Sequence, residues 1–131
     1  MPQFELFALV AGFGLVMTLI MLTLRGGGQR PRRGAWMVPA LLSAAFFVYS
    51  AYTIATEGPT GFWPVHTQSA WGNQVWFDLL LAAGTAFSLL LPRMRAAGMN
   101  VWLWMVTIPA TGSVGLLAAL ARLFYLEERQ P

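Results

Sequence analysis

Four long apolar stretches, separated by short polar segments, fill most of this chain of 131 residues. A helix of about 20 residues is about 30 Å long, which matches the hydrocarbon core of a bilayer. None of the stretches shows the in/out alternation of a membrane strand. The pattern predicts an all-α, integral membrane four-helix bundle, with antiparallel up-and-down helices in a single domain over 1–131. The expected helices cover about 4–24, 35–56, 72–91 and 99–125.

The arginines decide the predicted orientation. All eight basic residues are arginine, and six of them lie between the first and second stretches or between the third and fourth: Arg25, Arg30, Arg32, Arg33, Arg93 and Arg95. Short arginine-rich loops stay on the cytoplasmic side of a membrane. We therefore expect a multi-pass protein of the cell inner membrane with both termini outside, so that Glu127 and Glu128 also lie outside. The two loops are expected to bind anionic lipid headgroups, and nucleic acid is not an expected partner.

Composition removes several kinds of chemistry. The chain has no cysteine, which excludes disulfides, thiolate metal sites and cysteine nucleophiles. His66 is the only histidine and has no metal-ligand spacing around it, so no metal site is predicted. No catalytic set is visible either, and a protein without enzymatic activity is favoured over an enzyme. The sequence requires no cofactor, although a bound lipid, quinone or pigment would suit its many aromatic residues.

Polar residues form a stripe on each of the last two predicted helices. At about 100° per residue, the members of each stripe fall within an arc of about 80°. They are Gln74, Asp78, Thr85 and Ser88 on the third helix, and Thr107, Thr111 and Arg122 on the fourth. Because lipid rejects polar groups, we expect the two stripes to face each other as an interior seam, with an ion pair between Asp78 and Arg122. Asp78 would then either link the two helices or serve as a ligand or proton site.

The segment from Glu57 to Trp71 is long for a connection in a compact bundle, which makes it a candidate functional segment. Trp63, His66 and Trp71 are its candidate contacts with a ligand or partner. Its aromatic residues also suit the headgroup region of a membrane, and this anchor interpretation is the favoured one. Pro109 is expected to bend the fourth helix, because it removes one backbone hydrogen bond.

A resemblance to a known family covers about Gly34 to Arg129. Four features carry it: Asp78-Leu79 early in a hydrophobic helix, the short loop Pro92-Arg-Met-Arg95, the motif Val101-Trp-Leu-Trp104, and the closing segment Leu123-Phe-Tyr-Leu-Glu-Glu-Arg129. In these features the chain resembles the small bacterial membrane proteins grouped as domain of unknown function 2834. It departs from them in its additional first helix and in Ala121-Arg122, where an apolar or proline-containing step is expected. The resemblance implies a small inner-membrane bundle and no particular reaction.

Three functional hypotheses follow. The first is a non-catalytic accessory or assembly subunit of a larger membrane complex, which makes lateral contacts with protein, lipid, quinone or pigment. The second is a protein or enzyme that binds a small hydrophobe such as a lipid or isoprenoid, using Asp78 in an outer-leaflet pocket. The third is an oligomeric small transporter. Membrane lipids, and either a membrane-protein partner or a second copy of the chain, are the expected partners.

Overall fold

The computed structural model describes residues 2–24 and 32–131, with side chains from Phe4 onward. These residues form two compact units, Met1–Arg30 and Pro31–Pro131, which are described separately below. Every regular element in the described ranges is a helix, as the sequence predicts. Unit 1 contains α1 (Pro2–Leu24). Unit 2 contains α2 (Met37–Glu57), α3 (Phe62–Thr67), α4 (Ala70–Ala96), α5 (Val101–Thr111) and α6 (Ser113–Arg129).

Three of the helices are long and apolar enough to cross a membrane: Phe4–Leu24, Met37–Glu57 and Ala70–Ala96. Their bounds agree with the predicted ones to within a few residues, except that α4 continues through Pro92 to Ala96. The fourth predicted helix, 99–125, is instead divided into α5 and α6. Since α5 has 11 residues, it is only about 16 Å long. The single domain over 1–131 stays a prediction.

The division of the fourth predicted helix occurs at Gly112. This residue has φ 63° and ψ −131°, a conformation that glycine adopts without the steric cost of a Cβ atom. Its N–H donates to the Ile108 carbonyl at 2.7 Å and so closes α5. Pro109, which was expected only to bend the helix, lies one turn before the break. The chain then returns along α5, and we refer to α5 and α6 together as the hairpin.

The contacts of α6 show which way it runs. Near its start, the Ser43 hydroxyl of α2 donates to the Val114 carbonyl at 2.8 Å. Near its end, Trp36 packs edge-on against Tyr125 with ring centroids 5.6 Å apart, and the Gly34 N–H donates to the Glu128 carboxylate at 2.9 Å. Helix α6 is therefore antiparallel to α2, and its last turn lies beside the residues that precede α2.

This direction corrects the predicted position of the C-terminus. The Arg93 guanidinium donates two hydrogen bonds to the Glu127 carboxylate, at 2.9 and 2.6 Å. Arg33 lies 3.8 Å from the Glu128 carboxylate. The expectation that Glu127 and Glu128 lie at the opposite end from the arginine-rich loops is wrong, because the turn at Gly112 brings α6 back to them. We call this end of unit 2 the arginine end.

The core of unit 2 lies between the hairpin and α4. Met94, Ala119 and Leu123 are fully buried, and Ile108 and Met99 complete the cluster. Gly115 is also buried, and a Cβ atom there would meet the Thr107 carbonyl oxygen at 3.0 Å. The absence of a side chain at Gly115 thus allows α5 and α6 to pack closely.

Candidate functional site

The hairpin occupies only part of the length of unit 2. Helix α4 has 27 residues and is about 40 Å long, more than twice the length of α5. Gly112 is the tip of the hairpin. In the space between this tip and α3, no hairpin residue separates the second half of α2 from the start of α4. A cavity of about 560 Å³ lies there, which we call the hairpin-tip cavity. Its walls come from α2 (Phe46, Tyr49, Ser50, Thr53, Ile54), the α2–α3 link (Gly58, Pro59), α3 (Phe62, His66), α4 (Trp76) and the hairpin (Pro109, Ala110, Thr111, Gly112).

Helix α3 covers the cavity and is held against the start of α4 by local contacts. The Ser69 hydroxyl caps α4 by accepting a hydrogen bond from the Gly72 N–H at 3.0 Å. Gly72 itself lies directly against the Val65 carbonyl oxygen, where a Cβ atom would clash. A glycine at this position therefore permits α3 to lie on α4.

His66 is positioned by two groups. Its Nδ1 lies 3.2 Å from the Gly72 carbonyl oxygen, and its ring lies 5.2 Å from the ring of Trp76. Because a carbonyl oxygen only accepts hydrogen bonds, Nδ1 is the nitrogen that carries the proton, and Nε2 of the neutral ring is an acceptor. Within the described residues Nε2 has no hydrogen-bond partner. The histidine thus brings a polar atom to an otherwise aromatic wall, in which Phe62 stacks on Trp76 at 6.0 Å.

Hydroxyl groups supply the other polar side chains of the cavity. Thr53 and Thr111 donate to the carbonyls of their own helices, at Tyr49 and Thr107. The hydroxyls of Tyr49 and Ser50 make no hydrogen bond in the described part of the chain. An apolar cavity of this size with a few polar groups is the usual form of a small-molecule site.

The predicted loop contacts divide into two groups. His66 lines the cavity, whereas Trp63 and Trp71 do not and are 57% and 77% exposed. Sequence reasoning missed the contribution of α2. Tyr49, Ser50 and Thr53 are polar residues that share one face of an apolar helix. Their spacing in the sequence could have indicated that α2 contributes polar groups to a site.

The structure does not bring the two predicted polar stripes together. Packed or half-buried residues on α4 include Trp76, Ala83, Phe87 and Met94, and the stripe lies about 180° from them around the helix. All four of its members are exposed: Gln74, Asp78, Thr85 and Ser88. The interior of unit 2 is instead packed by the apolar face of α4.

The second stripe is divided by the break at Gly112. Thr107 donates to the Leu103 carbonyl at 2.8 Å within α5, and Thr111 lines the cavity. Arg122 lies near the arginine end, with its guanidinium 5.7 Å from the ring of Tyr125. Arg93 of α4 also lies at the arginine end, and Asp78 is about 22 Å away from it along α4. The predicted Asp78–Arg122 ion pair is therefore wrong.

The remaining predicted residues belong to the arginine-rich loops. Arg25 and Arg30 lie outside the described residues. Arg32 and Arg95 are exposed, while Arg33 and Arg93 face the two glutamates of α6. The described ranges 2–24 and 32–131 contain no cluster of three side chains that could hold a metal ion.

The comparisons with known proteins return no match for this chain among family models, curated proteins or solved structures. The resemblance to domain of unknown function 2834 stays a prediction. The function of the chain is therefore inferred from the geometry of unit 2.

Proposed function

We propose that the chain is a multi-pass inner-membrane protein that crosses the bilayer three times, through α1, α2 and α4. The hairpin would enter the bilayer from the arginine end and return to the same side, because α5 is only about half as long as a helix that spans the bilayer. The distribution of charge supports this topology. The described arginines of unit 2 lie at or near one end, the arrangement that the positive-inside rule favours on the cytoplasmic side.

In this topology the hairpin-tip cavity lies in the outer leaflet, beneath α3. We propose that it holds a small hydrophobe, such as a lipid or isoprenoid, without reaction. The observation that carries this proposal is the half-length hairpin, which leaves a cavity of about 560 Å³ between two full-length helices. Volumes of roughly 300–1,000 Å³ are typical of ligand pockets.

The polar groups of the cavity indicate the chemistry of the ligand. His66 and the free hydroxyls of Tyr49 and Ser50 offer hydrogen bonds below α3. At the other end Gly112 exposes non-helical backbone, and α6 begins without a side-chain cap. Such backbone is tolerated at membrane depth where it is buried in protein or lines a polar cavity. A ligand with an apolar body and at least one hydrogen-bonding group fits both features.

The cavity also changes the role given to Asp78 in the small-hydrophobe hypothesis. Asp78 is not among the lining residues, because it lies on the face of α4 opposite Trp76. We therefore propose His66, in place of Asp78, as the principal polar contact of the ligand.

Filling the cavity tests this function. Ser50→Phe places a ring in the cavity, whereas Ala51→Phe places the same ring on an exposed face of α2 about 100° away, outside the cavity lining and at nearly the same depth. Native mass spectrometry after mild-detergent extraction should show bound lipid or isoprenoid on the wild type and on Ala51→Phe, and little on Ser50→Phe. Equal occupancy of all three proteins would contradict the proposal.

A role as an accessory or assembly subunit is the second proposal. It is supported by the exposed polar stripe of α4, since polar side chains on a membrane helix favour contact with another helix over contact with lipid. Purification in mild detergent tests it: a stoichiometric partner protein is the expected result, and a chain that purifies without one contradicts it.

A further inference from the structure

His66 offers the hairpin-tip cavity a hydrogen-bond acceptor. Its Nδ1 donates to the Gly72 carbonyl oxygen at 3.2 Å, which fixes the ring against the backbone at the start of α4. The two nitrogens of an imidazole ring point in nearly opposite directions, so Nε2 is directed away from Gly72. Within the described residues Nε2 has no hydrogen-bond partner, although His66 lines the cavity. A ligand satisfies this atom only if it donates a hydrogen bond to it.

The aromatic neighbours of His66 make this acceptor selective. The histidine ring lies 5.2 Å from the ring of Trp76, and Phe62 stacks on Trp76 at 6.0 Å. An acceptor that a ligand covers without donating to it loses its contact with water and gains nothing in return. A hydroxyl group removes this cost, whereas an ether, ester or ketone oxygen has no proton to give. The wall therefore favours a ligand that carries a hydrogen-bond donor.

The cavity has no charge to match a charged ligand. None of its described lining residues is an arginine, lysine, aspartate or glutamate. Arg93 is 17 residues, or about 25 Å, along α4 from Trp76. A phosphate group in the cavity would thus leave water without meeting a described arginine, and such a transfer is costly. The lining favours an uncharged ligand.

Two hydroxyls of α2 complete the polar groups that are available to a ligand. The hydroxyls of Tyr49 and Ser50 line the cavity and make no hydrogen bond in the described part of the chain. Since a hydroxyl group both donates and accepts, the hydroxyl of a ligand can donate to a histidine nitrogen and accept from a hydroxyl of the protein. One small head group therefore suits both walls.

We propose that the ligand of the hairpin-tip cavity is a neutral lipid alcohol, whose hydroxyl donates to Nε2 of His66. The inference rests on the proposed occupancy of the cavity by a small hydrophobe and narrows it to one class of head group. Isoprenoid alcohols and diacylglycerols belong to this class, because each joins an apolar body to an uncharged hydroxyl. Quinones present only acceptor oxygens, and phospholipids and isoprenoid phosphates are charged, so these compounds fall outside it.

Three isoprenoid probes that differ only in their head group test this selectivity. They are geranylgeraniol, its methyl ether and its monophosphate, each titrated into the purified full chain in mild detergent and measured by native mass spectrometry. The wild type should bind the alcohol about tenfold more tightly than the ether, which lacks the proton, and at least about tenfold more tightly than the phosphate. Dioleoylglycerol, titrated beside them, distinguishes a diacylglycerol from an isoprenoid alcohol as the source of the hydroxyl.

His66→Phe keeps an aromatic ring at the cavity wall and removes the acceptor. Its affinity for the alcohol should fall about tenfold, while its affinity for the ether should stay that of the wild type, as expected if the cavity is intact. Equal affinities of the wild type for alcohol and ether, tighter binding of the phosphate, or an unchanged preference for the alcohol in His66→Phe overturns the proposal. The comparison of alcohol with ether in the wild type stands without this variant.

Ser50→Phe separates this proposal from the proposed function, because it fills the cavity and should weaken the binding of the alcohol and the ether alike. If no probe binds the wild type, or if Ser50→Phe binds the probes as the wild type does, the cavity does not hold a small hydrophobe. If Ser50→Phe loses the probes but the wild type binds alcohol and ether equally, the cavity holds a hydrophobe and the lipid alcohol is wrong.

Discussion

The two halves of unit 2 share α2 and α4 and differ in what lies between them. Toward the arginine end the hairpin fills the space, Leu123 and Met94 are fully buried, and two glutamates of α6 face arginines. Toward α3 the same two helices border the hairpin-tip cavity, which is partly open, and Ile54 on its wall is 53% exposed. The boundary between the two halves lies at Gly112, because this residue forms the tip of the hairpin. The packed half therefore supplies stability, and the open half leaves the space that we propose a ligand occupies.

The largest expected effect is the contrast between Leu123→Ala and Ile54→Ala. Leu123→Ala leaves a cavity in the packed half and should lower the free energy of unfolding by about 2–3 kcal/mol, mainly through lost packing contacts. Ile54→Ala removes a half-exposed side chain and should cost less than about 1 kcal/mol. Reversible unfolding by a denaturing detergent in mixed micelles measures both. Similar losses for the two variants would remove the distinction between the halves.

A smaller effect is expected at the glycine that brings α5 and α6 together. In Gly115→Ala the added Cβ atom clashes with the Thr111 hydroxyl and crowds the Thr107 carbonyl, so the helices must separate at a cost of about 1–2 kcal/mol. Gly84→Ala is the matched control, because its Cβ atom meets nothing within 4 Å. The control should be neutral or slightly stabilising. Loss of stability in both variants would show that hairpin packing is not the cause.

The smallest effect is expected for the ion pair between α4 and α6. Arg93 and Glu127 are joined by two hydrogen bonds, but Arg93 is nearly half exposed, so their coupling should be about 0.5–1 kcal/mol. A double-mutant cycle with Arg93→Ala and Glu127→Ala measures this coupling. Additive effects of the two substitutions would mean that the pair does not hold α6 to α4.

The all-helical class and the three long helices followed from the hydrophobic pattern, because spans of about 20 apolar residues leave little choice of secondary structure. The break in the fourth segment did not follow, because apolar content was continuous across Gly112. Two signals were present in the sequence. The first is that Pro109 and Gly112 are typical of the end of a helix, and Ser113 is typical of the start of the next one. The second is that Arg122 and Arg129 fall on the side of the membrane that was expected to lack arginine.

The candidate site was predicted only in part, for a related reason. His66 was identified from its position in a long connection. The direction predicted for the polar stripe of α4 was wrong because polar residues were assumed to face the interior of their own bundle. In the structure the apolar face of α4, with Met94 and Phe87, packs the core, and Asp78 is left outside. Periodicity shows that residues share a face but does not show which neighbour that face contacts.

The hairpin of unit 2 returns to the arginine end and brings the C-terminus with it. Because the chain has no cysteine, Gln68→Cys beside α3 and Gln130→Cys after α6 can each be labelled with a membrane-impermeant maleimide in sealed, right-side-out membrane vesicles. We expect Gln68→Cys to react in intact vesicles and Gln130→Cys to react only after the vesicles are opened. Labelling of both positions from the same side would contradict the returning hairpin and restore a fourth complete span.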